Sequence, residues 1–301
     1  MTELENSSML QPKISVIIPT YNSERTIEKC LISILSQTYP HLEVVIVDGG
    51  SMDRTISICK NFSVKIIKSK QNIVGLSRQI GVEESTGDIC AFIDSDVILP
   101  SKTWLSQMET HFYDKTPNAI AGVFSLGMSD ENQPASLRLM IDTGPRDPPK
   151  VVSSDNYFPV GTGHTMILKN VILKLGGFKR DLHYNEDHEL IDRVLRAGYC
   201  FIYDGTLKSY HLYAENWLAI LKKMLRTYRI EAAQGYKNPS SSYRKLFSDF
   251  IIIPSLFKAI QGFQRDKDRV WFLFPFAHFI RAIILLYYKR ALESMENTSV
   301  T

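Results

Sequence analysis

The chain has 301 residues, of which 44% are hydrophobic and 22% charged, a composition typical of globular rather than disordered or collagen-like proteins. The formal charge of +3 is too small to predict binding to the phosphates of nucleic acid. The four cysteines are spaced too widely for a metal-binding knuckle, so we expect them to be buried and reduced. The first residues lack the basic and apolar regions of a cleaved signal, and we therefore expect the protein to face the cytoplasm.

The first hundred residues predict an open, doubly wound α/β sheet, because short apolar runs alternate with segments of helical period. Continuous apolar runs predict buried parallel strands at residues 14–18, 44–47, 64–67 and 89–93. The first helix is expected to begin at a cap residue, either Asn22 or Ser23. Two further helices are predicted over 53–62 and 76–85, with Gly87 as the C-cap residue of the second.

The rest of the chain is less regular. Residues 129–160 are rich in Pro, Asp, Ser and Asn, which indicates a mobile loop, either a lid or a plain surface excursion. A helix is predicted over 186–197, with Gly198 at its end. Two strongly apolar stretches follow, at 246–263 and 270–288. Prolines interrupt both stretches, which favours helices lying in a membrane interface; a spanning helix and core helices of a second lobe are the alternatives.

Polar side chains follow the predicted strands at their carboxyl ends, where open α/β sheets bind ligands. They are Thr20, Tyr21, Asp48, Asp94 and Asp96. Two carboxylates two residues apart suit Mg²⁺ or Mn²⁺, and on an extended chain both would face the crevice while Ser95 points away. Tyr21 offers an aromatic face to a base, and Asp48 offers an acceptor for a base N–H. Turn and cap chemistry is the alternative for Tyr21 and Asp48, and an acidic turn after a strand is the alternative for Asp94 and Asp96.

Taken in order, a set of motifs resembles that of inverting glycosyltransferase family 2, whose enzymes have the GT-A fold. The motifs are Ile-Ile-Pro-Thr-Tyr-Asn at 17–22, Val-Asp-Gly-Gly-Ser-Met-Asp at 47–53, Thr-Gly-Asp at 86–88 leading to Asp-Ser-Asp at 94–96, Gly-Gly-Phe at 176–178, and Glu-Asp at 186–187. The resemblance covers about residues 12–235. It implies a Rossmann-like, mostly parallel sheet with helices on both faces, to which the C-terminal apolar helices are added.

The resemblance also implies roles for individual residues. Nucleotide-sugar contacts are implied for Thr20, Tyr21, Asp48, Arg78, Asp94 and Ser95. Asp96 is implied as a metal ligand, with His211 as a second candidate, and the turn formed by Gly161, Gly163 and His164 is expected to line the acceptor side. Asp187 is implied as the general base, with Glu186 beside it in acceptor binding. Gly49 stands where the family more commonly has a second Asp, which removes one polar contact near the base.

Several of these residues have a simpler interpretation. Glu186 and Asp187 are also typical of a charged first turn of a helix, and His211 of an ordinary core or surface histidine. Arg226 and Arg229 lie on a basic segment that would hold a diphosphate, or face solvent or a membrane. The Gln-x-x-Arg-Trp motif of the processive members is absent, which predicts the addition of one sugar at a time.

The resemblance therefore implies a metal-dependent transferase that moves one sugar from a UDP- or GDP-sugar to a lipid-linked glycan or polyprenyl phosphate at the cytoplasmic face of a membrane. The expected division of the chain is a nucleotide-sugar-binding half at 1–100, an acceptor-binding and catalytic half at 101–236, and membrane-associating helices at 237–301. A non-catalytic, membrane-bound scaffold or partner subunit is the alternative. Dinucleotide-binding and P-loop fingerprints are both missing, which argues against an oxidoreductase or a kinase.

Overall fold

The computed structural model describes residues 11–113, 119–129, 148–156, 161–183, 185–212 and 252–267, together with parts of 269–287. The described residues of 1–128 and 144–212 belong to one compact unit, and those of 129–143 and 213–301 belong to a second. Arg226, Arg229 and most of the predicted loop at 129–160 lie outside the described residues.

Within the described residues, the first unit is built on one nine-stranded sheet. Its strands are β1 (Ile14–Thr20), β2 (Leu42–Asp48), β3 (Lys65–Lys68), β4 (Ile89–Ile93), β5 (Val97–Ile98), β6 (Ile120–Ser129), β7 (Lys150–Val152), β8 (His164–Leu168) and β9 (Cys200–His211). Their order across the sheet is β3-β2-β1-β4-β8-β6-β9-β5, and β7 also pairs with β9.

The four predicted strands are confirmed and form the parallel part of the sheet, in which β1 pairs with β2 and β4, and β2 pairs with β3. Every residue of β4 is buried, as expected of a parallel strand covered on both faces. The other half of the sheet was not predicted. There β8 pairs antiparallel with β4 and β6, and β9 pairs antiparallel with β5 and β7.

Helices cover both faces of this sheet, as predicted. They are α1 (Ile27–Leu35), α2 (Thr55–Cys59), α3 (Val74–Glu84), α4 (Trp104–Thr110), α5 (Lys169–Lys174) and α6 (Glu186–Arg196). Because strand side chains alternate between faces, Val16 of β1 packs into a cluster with α1, α2 and α4, whereas Ile17 packs into one with α3, α5 and α6. The two clusters together form a three-layer α/β/α core.

Several predicted helix boundaries were wrong. Helix α1 begins at Ile27, with Thr26 as its N-cap residue, rather than beside Asn22 or Ser23: Asn22 has a φ of 49°, and the Ser23 carbonyl accepts the Thr26 and Ile27 N–H groups in a turn that precedes the helix. Helix α2 is shorter than the predicted 53–62. Gly87 does not cap α3: a Cβ there would lie 2.5 Å from Ser15 Oγ, so glycine permits a close approach of the chain to β1. Gly198 does follow α6, with a φ of 85°.

The predicted state of the cysteines is confirmed. Cys30, Cys59, Cys90 and Cys200 are all buried, and none forms a disulfide. Burial raises the pKa of Cys59 to about 11 and that of Cys90 to about 12. Both thiols are therefore protonated at neutral pH and pack as small apolar groups.

The described part of the second unit contains helix α7 (Ile252–Asp266) and a short 3-10 helix at Arg269–Leu273. Ala259 and Phe263 of α7 pack against Trp271. Pro254 lies in the first turn of α7, where a backbone N–H would have no partner within the helix, so the missing N–H of proline costs no hydrogen bond. The prediction that proline interrupts this apolar stretch is therefore wrong for Pro254. No helix among the described residues is long and apolar enough to cross a membrane.

Candidate functional site

The carboxyl ends of β1 and β2 place Thr20 and Asp48 side by side, as partners in the strand register. Thr20 Oγ1 lies 3.5 Å from Asp48 Oδ1. Asp48 is only 3% exposed, and its carboxylate accepts the N–H groups of Gly50 at 3.1 Å and Ser51 at 3.0 Å, and the Ser51 hydroxyl at 2.5 Å. The turn chemistry that was the alternative for Asp48 is therefore present, and any contact with a ligand comes in addition to it.

The loop after β1 presents the exposed aromatic ring of this region. Tyr21 is 43% exposed, and the next residue, Asn22, donates its N–H to Ser51 Oγ at 2.9 Å. Ser23 Oγ lies 2.8 Å from Ser95 Oγ, which links this loop to the segment that follows β4. The three strand ends thus form one continuous rim.

The expectation that Asp94 and Asp96 share one face of an extended chain is wrong. The Val97 N–H donates to the Asp94 carbonyl at 2.9 Å and closes a turn, so the two carboxylates reach different partners. Asp94 Oδ1 accepts from Arg78 Nη2 at 2.8 Å, whereas Asp96 Oδ1 lies 3.8 Å from His211 Nδ1. The predicted orientation of Ser95 away from the site also fails, because the turn directs it to the loop after β1.

Asp96 and His211 are the candidate ligands of a divalent cation. Their 3.8 Å separation is too long for a hydrogen bond, and adjacent ligands each about 2.1 Å from one octahedral ion lie about 3.0 Å apart, so the two side chains would move slightly closer to share a cation. Among the described residues, no group of three or more His, Cys, Asp or Glu side chains is arranged to hold a metal. A pair of protein ligands suits Mg²⁺ or Mn²⁺ when a bound phosphate supplies further oxygens.

His164 packs beside His211, with ring centroids 5.8 Å apart and planes at 84°. Its Nδ1 lies 3.2 Å from the buried hydroxyl of Ser125, and a Cβ at Gly127 would lie 2.8 Å from its Nε2, so glycine makes room for the ring. Burial, together with the neighbouring His211, lowers the pKa of His164 to about 3. The imidazole is therefore neutral at physiological pH.

The start of α6 sends two consecutive carboxylates to different partners. Asn185 has a left-handed backbone with a φ of 59°, and the helix begins at the next residue, as predicted. Glu186 is 3% exposed and forms an ion pair with Arg78. The carboxylate of Asp187 accepts the Thr162 N–H at 3.2 Å and the N–H of the following residue at 2.8 Å.

The loop before β8 connects Asp94 with Asp187. The Gly163 carbonyl accepts the Asp94 N–H at 3.1 Å, and a Cβ at Gly163 would lie 2.5 Å from Asp94 Oδ2, so only glycine fits this approach. A Cβ at Gly161 would lie 3.6 Å from Asp187 Oδ2. The loop predicted to line the acceptor side therefore borders both carboxylates.

Sequence reasoning did not identify three features of this site. They are the pairing of Arg78 with Glu186, the Thr162 N–H that holds Asp187, and the Ser125 hydroxyl beside His164. Each contact joins elements that are distant in the sequence, and no local pattern signals it.

The chain was compared with protein families and curated proteins. Residues 15–174 match the family model described as Glycosyl transferase family 2. Glycosyltransferase AglE of Haloferax volcanii is 26% identical over 298 residues, which cover 94% of each chain. An uncharacterized glycosyltransferase of Haemophilus influenzae is 28% identical over 273 residues, which cover 85% of this chain and 82% of the relative.

Solved structures share the fold. Mannosyltransferase PcManGT from Pyrobaculum calidifontis, in complex with GDP-Man and Mn²⁺, has a TM-score of 0.59 and 16% identity, with 97% of this chain and 82% of that chain covered. S. aureus TarS 1–349 in complex with UDP-GlcNAc has a TM-score of 0.56 and 19% identity, with 95% and 92% covered. At these identities the likeness shows the fold, a mixed α/β architecture of GT-A type.

Proposed function

This chain belongs to glycosyl transferase family 2 and is a glycosyltransferase, and from that premise we propose that it moves a single sugar, with inversion, from a UDP- or GDP-sugar to an acceptor. The observation that carries this proposal is the rim of strand ends, where Asp96 lies near His211 and the loop before β8 borders both Asp94 and Asp187. The GDP-Man and UDP-GlcNAc held by the two structural neighbours support the donor class.

The nucleotide lies in the crevice beyond β1, β2 and β4, as ligands of open α/β sheets do. Tyr21 is exposed there and stacks on the base. The remaining donor contacts are proposed for Thr20, Asp48, Asp94 and Ser95. For Asp48, a base N–H would take the acceptor position now used by the Thr20 hydroxyl, whose bond of 3.5 Å is the longest that this carboxylate accepts.

Asp96 and His211 are the proposed ligands of Mn²⁺ or Mg²⁺, through a carboxylate oxygen and an imidazole nitrogen. A cation held there would offset the negative charge that develops on the leaving diphosphate. The Mn²⁺ in the Pyrobaculum calidifontis complex supports manganese in particular.

Asp187 is the proposed general base. The acceptor hydroxyl oxygen bonds to the anomeric carbon as the bond from that carbon to the diphosphate oxygen breaks, and Asp187 takes the hydroxyl proton. The Thr162 N–H and the N–H after Asp187 each occupy one lone pair of its carboxylate, which leaves acceptor capacity for that proton. Gly161, Gly163 and His164 are proposed to line the acceptor side of the crevice.

The acceptor is proposed to be a lipid-linked glycan or polyprenyl phosphate, reached from the cytoplasmic face of a membrane. Large apolar side chains of the second unit support this, since Phe257 is 65% and Phe276 64% exposed. Lys267 and Arg269 of the same unit are also exposed and suit anionic headgroups. The scaffold alternative has no supporting observation among the described residues.

The proposal is tested by thermal unfolding with UDP, GDP and their sugars, with and without Mn²⁺, followed by a transfer assay with each donor that raises the melting temperature. A ligand that binds only the folded state raises that temperature by mass action. We expect one nucleotide family to stabilise the protein in the presence of Mn²⁺ and to support transfer. If no nucleotide raises the melting temperature, the proposed donor site is wrong. If a donor binds but its sugar is transferred to none of the acceptors tested, the proposed reaction is wrong.

A further inference from the structure

Arg78, on α3, is a buried cation between two carboxylates. It is 4% exposed, and its Nη2 donates to Asp94 Oδ1 at 2.8 Å while its Nη1 contacts Glu186 Oε1. Glu186 is equally buried, and a buried carboxylate is tolerated only when it is paired. One guanidinium therefore joins the segment after β4 to the start of α6.

Helix α3 also holds the chain that leads into α6. The Gln79 side-chain oxygen accepts the Phe178 N–H at 2.7 Å, and the Gly75 N–H donates to the Leu182 carbonyl at 3.2 Å. Gly75 and Gln79, four residues apart, lie on one face of α3, and Arg78 lies three residues after Gly75 on a neighbouring face. The segment from the Gly-Gly-Phe motif to Glu186 is thus fastened along α3.

We propose that Arg78 is a positioning residue: through Glu186 it holds the first turn of α6 where Asp187 can take the acceptor proton. This inference rests on the proposed function, since Asp187 is the general base only in that proposal. Glu186 is the residue before Asp187, so the buried ion pair that holds the Glu186 side chain also restrains the backbone that carries the base. The planar fork of arginine can hold two carboxylates at fixed angles, which a lysine ammonium cannot do.

The burial of Arg78 favours this indirect action over direct contact with the donor. Its side chain is 5% exposed, both Nη atoms are directed to carboxylates, and its Nε is enclosed without a hydrogen-bond partner among the described residues. Little of the guanidinium surface is left for a nucleotide. Asp94, with a side chain 36% exposed, is the member of the cluster that a donor can reach.

The first test measures amide hydrogen exchange at the start of α6 in the free protein, and therefore needs no substrate. The variant is Arg78→Lys. The matched control is Arg180→Gln, which removes an exposed ion pair between Glu83 of α3 and Arg180 in the chain that leads into α6. We expect exchange of the His188 and Glu189 amides to rise about 10-fold in Arg78→Lys. The control is expected to exchange like the wild type.

The second test is a kinetic cycle with Arg78→Lys, Glu186→Gln and the double variant, each checked for folding by circular dichroism. If Arg78 acts through Glu186, each single variant lowers kcat by about 10-fold to 100-fold and the double variant is no slower than the slower single one. The nucleotide Kd of Glu186→Gln is expected to stay within about 3-fold of the wild type.

The outcomes separate this inference from the proposed function. Unchanged α6 exchange in Arg78→Lys, or kcat losses that multiply in the double variant, overturns the positioning role. If Arg78→Lys does not fold, Glu186→Gln replaces it in the exchange experiment. Wild-type exchange at the start of α6 in Glu186→Gln would likewise overturn the positioning role. A wild-type protein that transfers no sugar refutes the proposed function, while the exchange experiment still decides whether Arg78 holds α6.

Discussion

His211 Nδ1 lies 3.8 Å from Asp96 Oδ1 because β5 and β9 pair antiparallel with Val97 opposite His211. The Leu212 N–H donates to the Asp96 carbonyl at 2.6 Å and extends the same pairing by one step. A carboxylate that follows β4 and an imidazole at the end of β9 are thus brought together by the antiparallel half of the sheet. The proposed metal site therefore depends on that pairing as much as on the Asp-Ser-Asp motif.

The first prediction is that Asp96→Ala and His211→Ala each weaken Mn²⁺ binding measured in the presence of UDP or GDP. Loss of one ligand from a pair removes half of the protein's contribution, and we expect affinity to fall at least about 10-fold. His41→Ala is the matched control, because His41 is exposed at the start of β2, at the opposite end of the strands. Equal Mn²⁺ affinity in all three variants would show that the metal binds elsewhere.

The second prediction concerns Asp187→Asn, which keeps the shape of the side chain but removes its basicity. We expect kcat to fall by about 10²-fold to 10⁴-fold while the Kd of the donor stays nearly constant. Asp192→Asn is the control on the same helix, where Asp192 forms an exposed pair with Arg196. A parallel loss of donor affinity and rate would instead assign Asp187 a structural role at the start of α6.

The acceptor class alters the size of this effect. A sugar hydroxyl must lose its proton as it attacks, whereas a phosphate acceptor is already ionised at neutral pH and does not need the base. We compare the loss of kcat in Asp187→Asn with each kind of acceptor. A loss of less than about 10-fold with a polyprenyl phosphate, together with a large loss with a sugar acceptor, would identify the phosphate as the better match to this site.

The sequence was sufficient to predict the parallel half of the fold and the positions of the strand-end residues. The runs that became β1 and β4 are continuous and apolar, and Asp48 and Asp94 follow or end strands as expected. The antiparallel half escaped prediction because β5 has only two residues and β9 pairs with strands distant in the chain. Local periodicity carries no information on such pairing.

The candidate site was predicted in composition but not in geometry. Asn22 was a reasonable cap by residue type, yet it has a left-handed backbone, and α1 begins only after a further turn, at Ile27. The turn closed by Val97 separates Asp94 from Asp96, although i, i+2 spacing favours a shared face. The Arg78–Glu186 contact joins two helices through tertiary packing alone, so no pattern within either helix could reveal it.

The third prediction concerns Glu43, which lies at the end of the sheet remote from the site. Glu43 binds Thr86, the first residue of the Thr-Gly-Asp motif, and this contact gives that motif a structural role. Its carboxylate accepts hydrogen bonds from the Ser15 hydroxyl and from the Thr86 N–H at 2.5 Å, and pairs with Lys13 Nζ at 3.3 Å. Burial alone would raise the pKa of Glu43, but these hydrogen bonds outweigh it and lower the pKa from 4.5 to about 2.

Because the pKa of Glu43 is lower in the folded than in the unfolded chain, its ionised form stabilises the protein above about pH 4.5, and this contribution is lost as the pH falls toward 2. Glu43→Gln is expected to lower the free energy of unfolding by about 1–3 kcal/mol at pH 7 and by less at pH 3, measured in urea. Glu84→Gln, at an exposed pair with Lys65, is the control. If Glu43→Gln lowers the free energy of unfolding by the same amount at pH 7 and pH 3, the stabilisation does not come from the ionised form of Glu43.

The fourth prediction concerns membrane binding by the second unit. Leu256, Phe257 and Ile260 are exposed along one stripe of α7, so the double variant Leu256→Ser with Phe257→Ser should reduce flotation with anionic liposomes. Ile32→Ser, which removes a 55% exposed apolar side chain from α1, is the control. High salt should weaken binding further, since each Lys or Arg near the surface contributes about 1 kcal/mol. A wild-type chain that does not float at low salt would favour a soluble acceptor.

The central claim, that the rim of strand ends is the donor site, is tested most directly by anomalous diffraction from crystals grown with Mn²⁺ and the nucleoside diphosphate that stabilises the protein. We predict one strong manganese peak within about 2.0–2.3 Å of both Asp96 and His211, with the diphosphate on the same ion and the nucleoside beside Thr20 and Asp48. A manganese peak bound to other side chains, or a nucleotide ordered away from β1 and β2, would contradict the account.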